Sequence, residues 1–90
     1  MNVMITAHLK QRFEVWKQLF DGDTERAKFC DESRTMVGKV DDKTAVITMF
    51  GVDMEKMNAR LSSREFAEKV NDFVVKHDVY TLQELTLPGA

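Results

Sequence analysis

The chain has 90 residues, 43% of them hydrophobic and 31% charged, an ordinary globular balance for a single domain over 1-90 and not that of a disordered chain. Thirteen Lys and Arg stand against fifteen Asp and Glu, a net charge of -2, and no basic run accumulates, which argues against a phosphate-binding face and hence against nucleic acid. Cys30 is the lone cysteine, which excludes an intrachain disulfide, and no apolar run approaches the roughly 20 residues that span a membrane.

A domain this short buries only about 60 to 65% of the surface its unfolded chain exposes, so association with a partner is expected. The segment Met1 to Leu9 has neither the basic stretch nor the long apolar core of a leader, and the expected location is cytoplasmic.

Asn2 to Leu9 alternates Val3, Ile5, Ala7 and Leu9 with Met4, Thr6 and His8, the period of a strand. From Arg12, the residues Phe13, Trp16 and Phe20 fall at helical spacing, and Val15 and Leu19 widen the stripe. Asp21-Gly22-Asp23 interrupts that helix, and Thr24 to Glu32 reads as a second helical piece capped by Asp23, with Ala27 and Cys30 inward.

Arg34 to Val52 reads as a hairpin about Asp41-Asp42-Lys43, its second arm running from Thr44 to Val52 with apolar residues on both faces. Asp53 can cap a helix beginning at Met54, with Met54, Met57 and Leu61 along one edge. Ser62-Ser63-Arg64-Glu65 has the form of a capping box that restarts it, and Phe66, Val70, Phe73 and Val74 continue the apolar stripe. His77-Asp78 is the expected helix end, Val79 to Leu87 the last strand, and Pro88-Gly89-Ala90 a tail.

Strand, helix, strand, strand, helix, strand is the split βαβ order. The expected fold is α+β and ferredoxin-like: a four-stranded antiparallel sheet with two interrupted helices on one face. Along the third strand Val46, Phe50 and Val52 oppose Ala45, Ile47 and Met49, so apolar side chains remain whichever set faces the helices. A second copy of the chain is the expected cover, giving a homodimer through the sheet face.

With that element order, the interrupted helices and the segment Leu61-Ser62-Ser63-Arg64-Glu65-Phe66, the chain resembles the dimeric α+β barrel superfamily, which includes antibiotic-biosynthesis-monooxygenase-like (ABM-like) domains. Phe13-Glu14-Val15-Trp16 with Phe20-Asp21 resembles the helix opening of a small family of unknown function in that group. The resemblance implies a dimeric barrel and leaves activity open among cofactor-free monooxygenases, haem-degrading enzymes, isomerases, stress-responsive dimers and regulators. Where the haem-degrading branch carries a tryptophan and a histidine, this chain has Arg60 and Val70, which argues against haem degradation unless His77 or His8 serves as an iron ligand.

His8 is the candidate base, a role that requires it to point between sheet and helices; the favoured alternative is an inert, hydrogen-bonded histidine at a strand end or dimer edge. Trp16 on its aromatic row, and Met49 among Met36, Met54 and Met57, are candidates to wall a pocket or simply to fill the core. Tyr80 by its hydroxyl and Arg34 by its fork are candidate anchors for a polar group, against ordinary surface placement. His77 beside Asp78 reads as a helix C-terminal group, and Cys30 as a small buried hydrophobe.

No metal site is expected. Asp21, Asp23 and Glu25 look like the start of a calcium loop, but the glycine at the second position and the absence of a distal bidentate glutamate break the pattern, and there is no histidine pair at i and i+4 and no cysteine pair. No cofactor is expected either. Two readings follow: a homodimer that binds a small apolar or aromatic ligand or has only an interaction role, and, alternatively, a cofactor-independent monooxygenase with His8 as base, Trp16 as wall and Tyr80 or Arg34 as anchor.

Overall fold

A computed structural model describes residues 1 to 89. The strands are β1 (Asn2–Leu9), β2 (Met36–Asp41), β3 (Thr44–Met49) and β4 (Val74–Leu82), and the helices are α1 (Phe13–Asp21), α2 (Met54–Leu61) and α3 (Arg64–Val70). The sheet order is β2-β3-β1-β4 with every neighbouring pair antiparallel, an α+β arrangement compatible with a ferredoxin-like fold.

Period-two patterning makes β1 the centre of the sheet. Val3, Ile5, Ala7 and Leu9 are buried on one face and meet Ala45, Ile47 and Met49 of β3 across the ladder region. Trp16 of α1 and Met57 of α2 close over this face, so all three apolar sets share one core. The opposite face carries no helix. On it, Met36, Thr48, Met4 and Tyr80 form one row across all four strands, and Gly38, Val46, Thr6 and Asp78 form the next.

α1 begins without a side-chain cap at Arg12, because the first free N–H has a tertiary partner: Phe13 N donates to the Asp42 carbonyl at 2.7 Å. The hairpin turn that supplies it is shaped by Asp41, whose Oδ1 accepts from Lys43 N at 2.9 Å. Lys43 then reaches back with Nζ to the Lys10 carbonyl at 2.6 Å, fixing the β1–α1 connection against the β2–β3 turn.

Residues 23–35 depart from the expected second helix. They form two 3-10 turns, Arg26–Lys28 and Glu32–Arg34. The cause is local competition for backbone donors: Asp23 Oδ1 takes Glu25 N, and Asp31 Oδ1 takes both Ser33 N and Ser33 Oγ. Asp23 is therefore not a helix cap. Cys30 turns inward as expected, but Ala27 is exposed and Arg26 takes the buried position.

The third strand ends at Met49, short of the expected Val52, because Gly51 adopts φ +61° and bends the chain. Beyond that bend Val52 rejoins the core, with its N–H on the Met1 carbonyl at 2.7 Å. Asp53 caps α2 as its sequence suggests, accepting from Lys56 N.

At the restart, the capping residue is Ser63, whose Oγ accepts from Phe66 N at 3.1 Å, and Ser62 instead donates to the Asn58 carbonyl. Glu65 turns away from the expected box and faces Arg60. α3 stops at Val70, so Phe73 and Val74 are not helical and His77-Asp78 is no helix end. The β-branched Val74, Val75 and Val79 belong to a strand that pairs with β1 from Leu9↔Val74 to Asn2↔Leu82. Strand β4 thus ends at Leu82, ahead of the expected Leu87, and Leu85 and Leu87 lie exposed beyond it.

Candidate functional site

Between the covered face of the sheet and the helices lies a cavity of about 70 Å³. Ile5, Ile47 and Met49 form its floor, Trp16 and Phe20 one wall, and Leu61, Phe66 and Val70 the other. Trp16 is held by ring contacts at 5.8 Å to Phe13 and 5.1 Å to Phe20, the aromatic row visible in the sequence. A single water's share of liquid volume is about 30 Å³, so the space suits a few heavy atoms rather than a large ligand.

One end of the cavity is charged. Arg26, Asp23, Arg60 and Lys69 all border it. Arg26 is anchored: its Nε and Nη2 donate to Glu32 at 2.7 to 3.0 Å, its Nη1 and Nη2 to the Phe20 carbonyl, and its guanidinium lies 3.5 Å from the Phe20 ring centre. Asp23 Oδ1 lies 3.6 Å from Arg60 Nη2 and 3.7 Å from Lys69 Nζ.

His77 borders the cavity from β4, paired with Ala7 in the register and with its ring 5.8 Å from that of Phe66 at a tilt of 39°. Burial pushes its pKa below the ordinary histidine value, and the neighbouring His8 adds to that push.

The five residues singled out from the sequence separate. Trp16 and Met49 border the cavity. His8 does not: by the alternation of β1 it lies on the uncovered face, where Nε2 is 2.8 Å from Asp78 Oδ2. The hydrogen bond from His8 is the main cause holding the Asp78 carboxyl below its ordinary range, with Lys76 adding to it. Tyr80 shares that uncovered face and is 51% exposed. Arg34 is exposed, with its guanidinium 4.4 Å from the Phe50 ring centre. His8, Tyr80 and Arg34 therefore share no space with Trp16.

Cys30 is buried, with Sγ 3.4 Å from the Arg26 carbonyl, and burial pushes its thiol pKa up. That is the chemistry of an inert core thiol. Among the described residues, no group of three or more His, Cys, Asp or Glu side chains gathers to hold a metal ion, and no helix is long and apolar enough to cross a membrane.

Sequence reasoning missed Arg26, Arg60 and His77 as cavity residues. A signal existed for two of them. Arg26 stands at i−3 and i−4 from the buried Phe29 and Cys30, and Arg60 at i+3 from the buried Met57, so each interrupts an apolar helical phase. His77 carried no such signal, because its side was set by the register of β4 against β1. The chain matches no protein-family model, and no curated protein is similar to it.

Proposed function

We propose that this chain is a small-molecule-binding domain that holds a small apolar or aromatic ligand between sheet and helices and works as a homodimer closed over the uncovered sheet face. The observation that carries the ligand reading is the convergence of Trp16, Met49, Leu61 and Val70 on one cavity with charge confined to one end.

The uncovered face supports the dimer. Four strands about 4.8 Å apart and some 20 Å long make a face of roughly 400 Å² that no helix covers, on which Met4, Met36, Val46 and Tyr80 stand among Thr6 and Thr48. Met36 and Tyr80 on it are 60% and 51% exposed, and its charged groups gather at one corner with His8, Lys76 and Asp78. Residues 83–89 lie outside any strand or helix and are exposed, and the described chain has a radius of gyration of 13.6 Å, against about 12 Å for a compact domain of this length.

The ligand reading is tested by titrating small apolar and aromatic molecules against the chain while following amide shifts, with Trp16 emission read in the wild type only, in parallel with Leu61→Trp, which fills the cavity. Saturable shifts around Trp16, Met49 and Val70 that vanish in Leu61→Trp are expected; shifts unaffected by the filling would sink the reading. Sedimentation tests the dimer: a mass near twice 10.4 kDa, reduced to one chain by Val46→Lys, is expected. A monomer at all accessible concentrations would remove it.

A further inference from the structure

The two arginines that border the cavity differ in one respect. Arg26 presents its Nε–Nη2 edge to Glu32, with Nε at 3.0 and 2.9 Å from the two carboxylate oxygens and Nη2 at 2.7 Å. Arg60 has the same edge buried, but neither its Nε nor its Nη2 has a hydrogen-bond partner among the described residues. Its nearest acids stand at ion-pair range only: Asp23 Oδ1 at 3.6 Å from Nη2, and Glu65 Oε1 at 3.5 Å from Nη1. The Arg60 side chain is 12% exposed, and its two ion pairs offset part of the cost of burying its charge while the Nε and Nη2 donors stay without a hydrogen bond.

We propose that the Arg60 Nε–Nη2 edge binds the carboxylate of a small apolar monocarboxylic acid, whose hydrocarbon part lies against Trp16, Leu61 and Val70. This rests on the ligand-binding reading above and names its substrate class. The two parallel N–H groups of that edge match the two oxygens of a carboxylate, as Arg26 and Glu32 demonstrate a few residues away. With Arg26 neutralised by Glu32, Arg60 and Lys69 bring two further positive charges to this end and Asp23 one negative charge, which balances a monoanion and leaves a dianion in excess. Glu65 weighs little, because its carboxylate is 79% exposed. The cavity volume of about 70 Å³ sets the hydrocarbon part at a few carbons, or at a ring that protrudes from the mouth.

The test uses the full chain and two matched pairs of probes, 3-methylbutanoate with its amide and benzoate with its amide, with inorganic phosphate as the dianion. Binding is followed by amide shifts and by Trp16 emission in the wild type and in Arg60→Gln. The expected result is that each acid binds about tenfold or more tightly than its amide, that phosphate binds more weakly than either acid, and that Arg60→Gln removes the preference while amide binding persists. Should Arg60→Gln fail to fold, the acid-to-amide ratio in the wild type decides alone. Equal binding of acid and amide, or tighter binding of phosphate, overturns the carboxylate assignment and leaves the cavity reading standing. Binding of none of the five probes overturns both.

Discussion

His8 on β1 and Trp16 on α1 stand on opposite sides of the same sheet, one beside Asp78 on the uncovered face and the other buried in the core. A base and an aromatic wall so divided cannot serve one bound molecule within a chain. His8→Ala is therefore expected to leave Trp16 emission and any cavity ligand unaffected, which a fluorescence spectrum and one titration check. The Asp78 carboxyl is held below its ordinary value of 3.8, so its contribution is present above that pH and is lost as pH falls through the lowered value. The small difference in melting temperature between wild type and His8→Ala should accordingly close only at strongly acid pH.

His77 predicts a second pH dependence of the same sign. Its folded pKa lies below the ordinary 6.5, so the unfolded chain takes up a proton first as pH falls. Stability should fall from pH 6.5 downward until the lowered folded value is reached, and be flat above 6.5. His77→Asn should flatten this segment of the curve; melting curves from pH 5 to 8 would show whether the slope persists without the imidazole.

The helix restart separates two adjacent serines. Ser63 Oγ accepts from Phe66 N and donates to the Arg60 carbonyl, whereas Ser62 only bonds back to Asn58. Ser63→Ala should cost about 1 kcal/mol and Ser62→Ala under about 0.5 kcal/mol. Urea midpoints of the two variants compare them directly, and an equal loss would contradict the cap assignment.

Arg26 is 7% exposed and joins Phe20, Glu32 and the turn that leads to Phe29. Glu32 is 40% exposed and can rehydrate once its partner is gone, so Arg26→Met should cost about 2 kcal/mol, below the 3 to 5 kcal/mol of a fully buried pair. Urea unfolding followed by circular dichroism reads this loss.

Two methionines discriminate core from surface. Met57 is 1% exposed and Met36 60%. Met57→Ala should cost about 3 kcal/mol from lost burial and the cavity left behind, whereas Met36→Ala should change the stability of one chain by under about 0.5 kcal/mol. At concentrations where the proposed dimer forms, Met36→Ala should also weaken it, which sedimentation would detect.

Local patterning by itself determined β1, the start of α1 and its aromatic row, the Asp53 cap and the hairpin, because each depends on periodicity or on a bond within a few residues. Element order also pointed to the four-stranded antiparallel sheet. Three features were decided only by the tertiary structure. Phe73 and Val74 match a helical phase, yet pairing with the central strand carries more hydrogen bonds and burial than one further helical turn, and it draws Val74 through Leu82 into β4. That register sends His77 to the cavity and leaves Tyr80 on the uncovered face, a choice fixed by β1 and by nothing adjacent in the chain. Arg26 and Arg60 each interrupt an apolar helical phase in the sequence, but that both border one cavity was decided only by the fold, which sets what surrounds a long charged side chain.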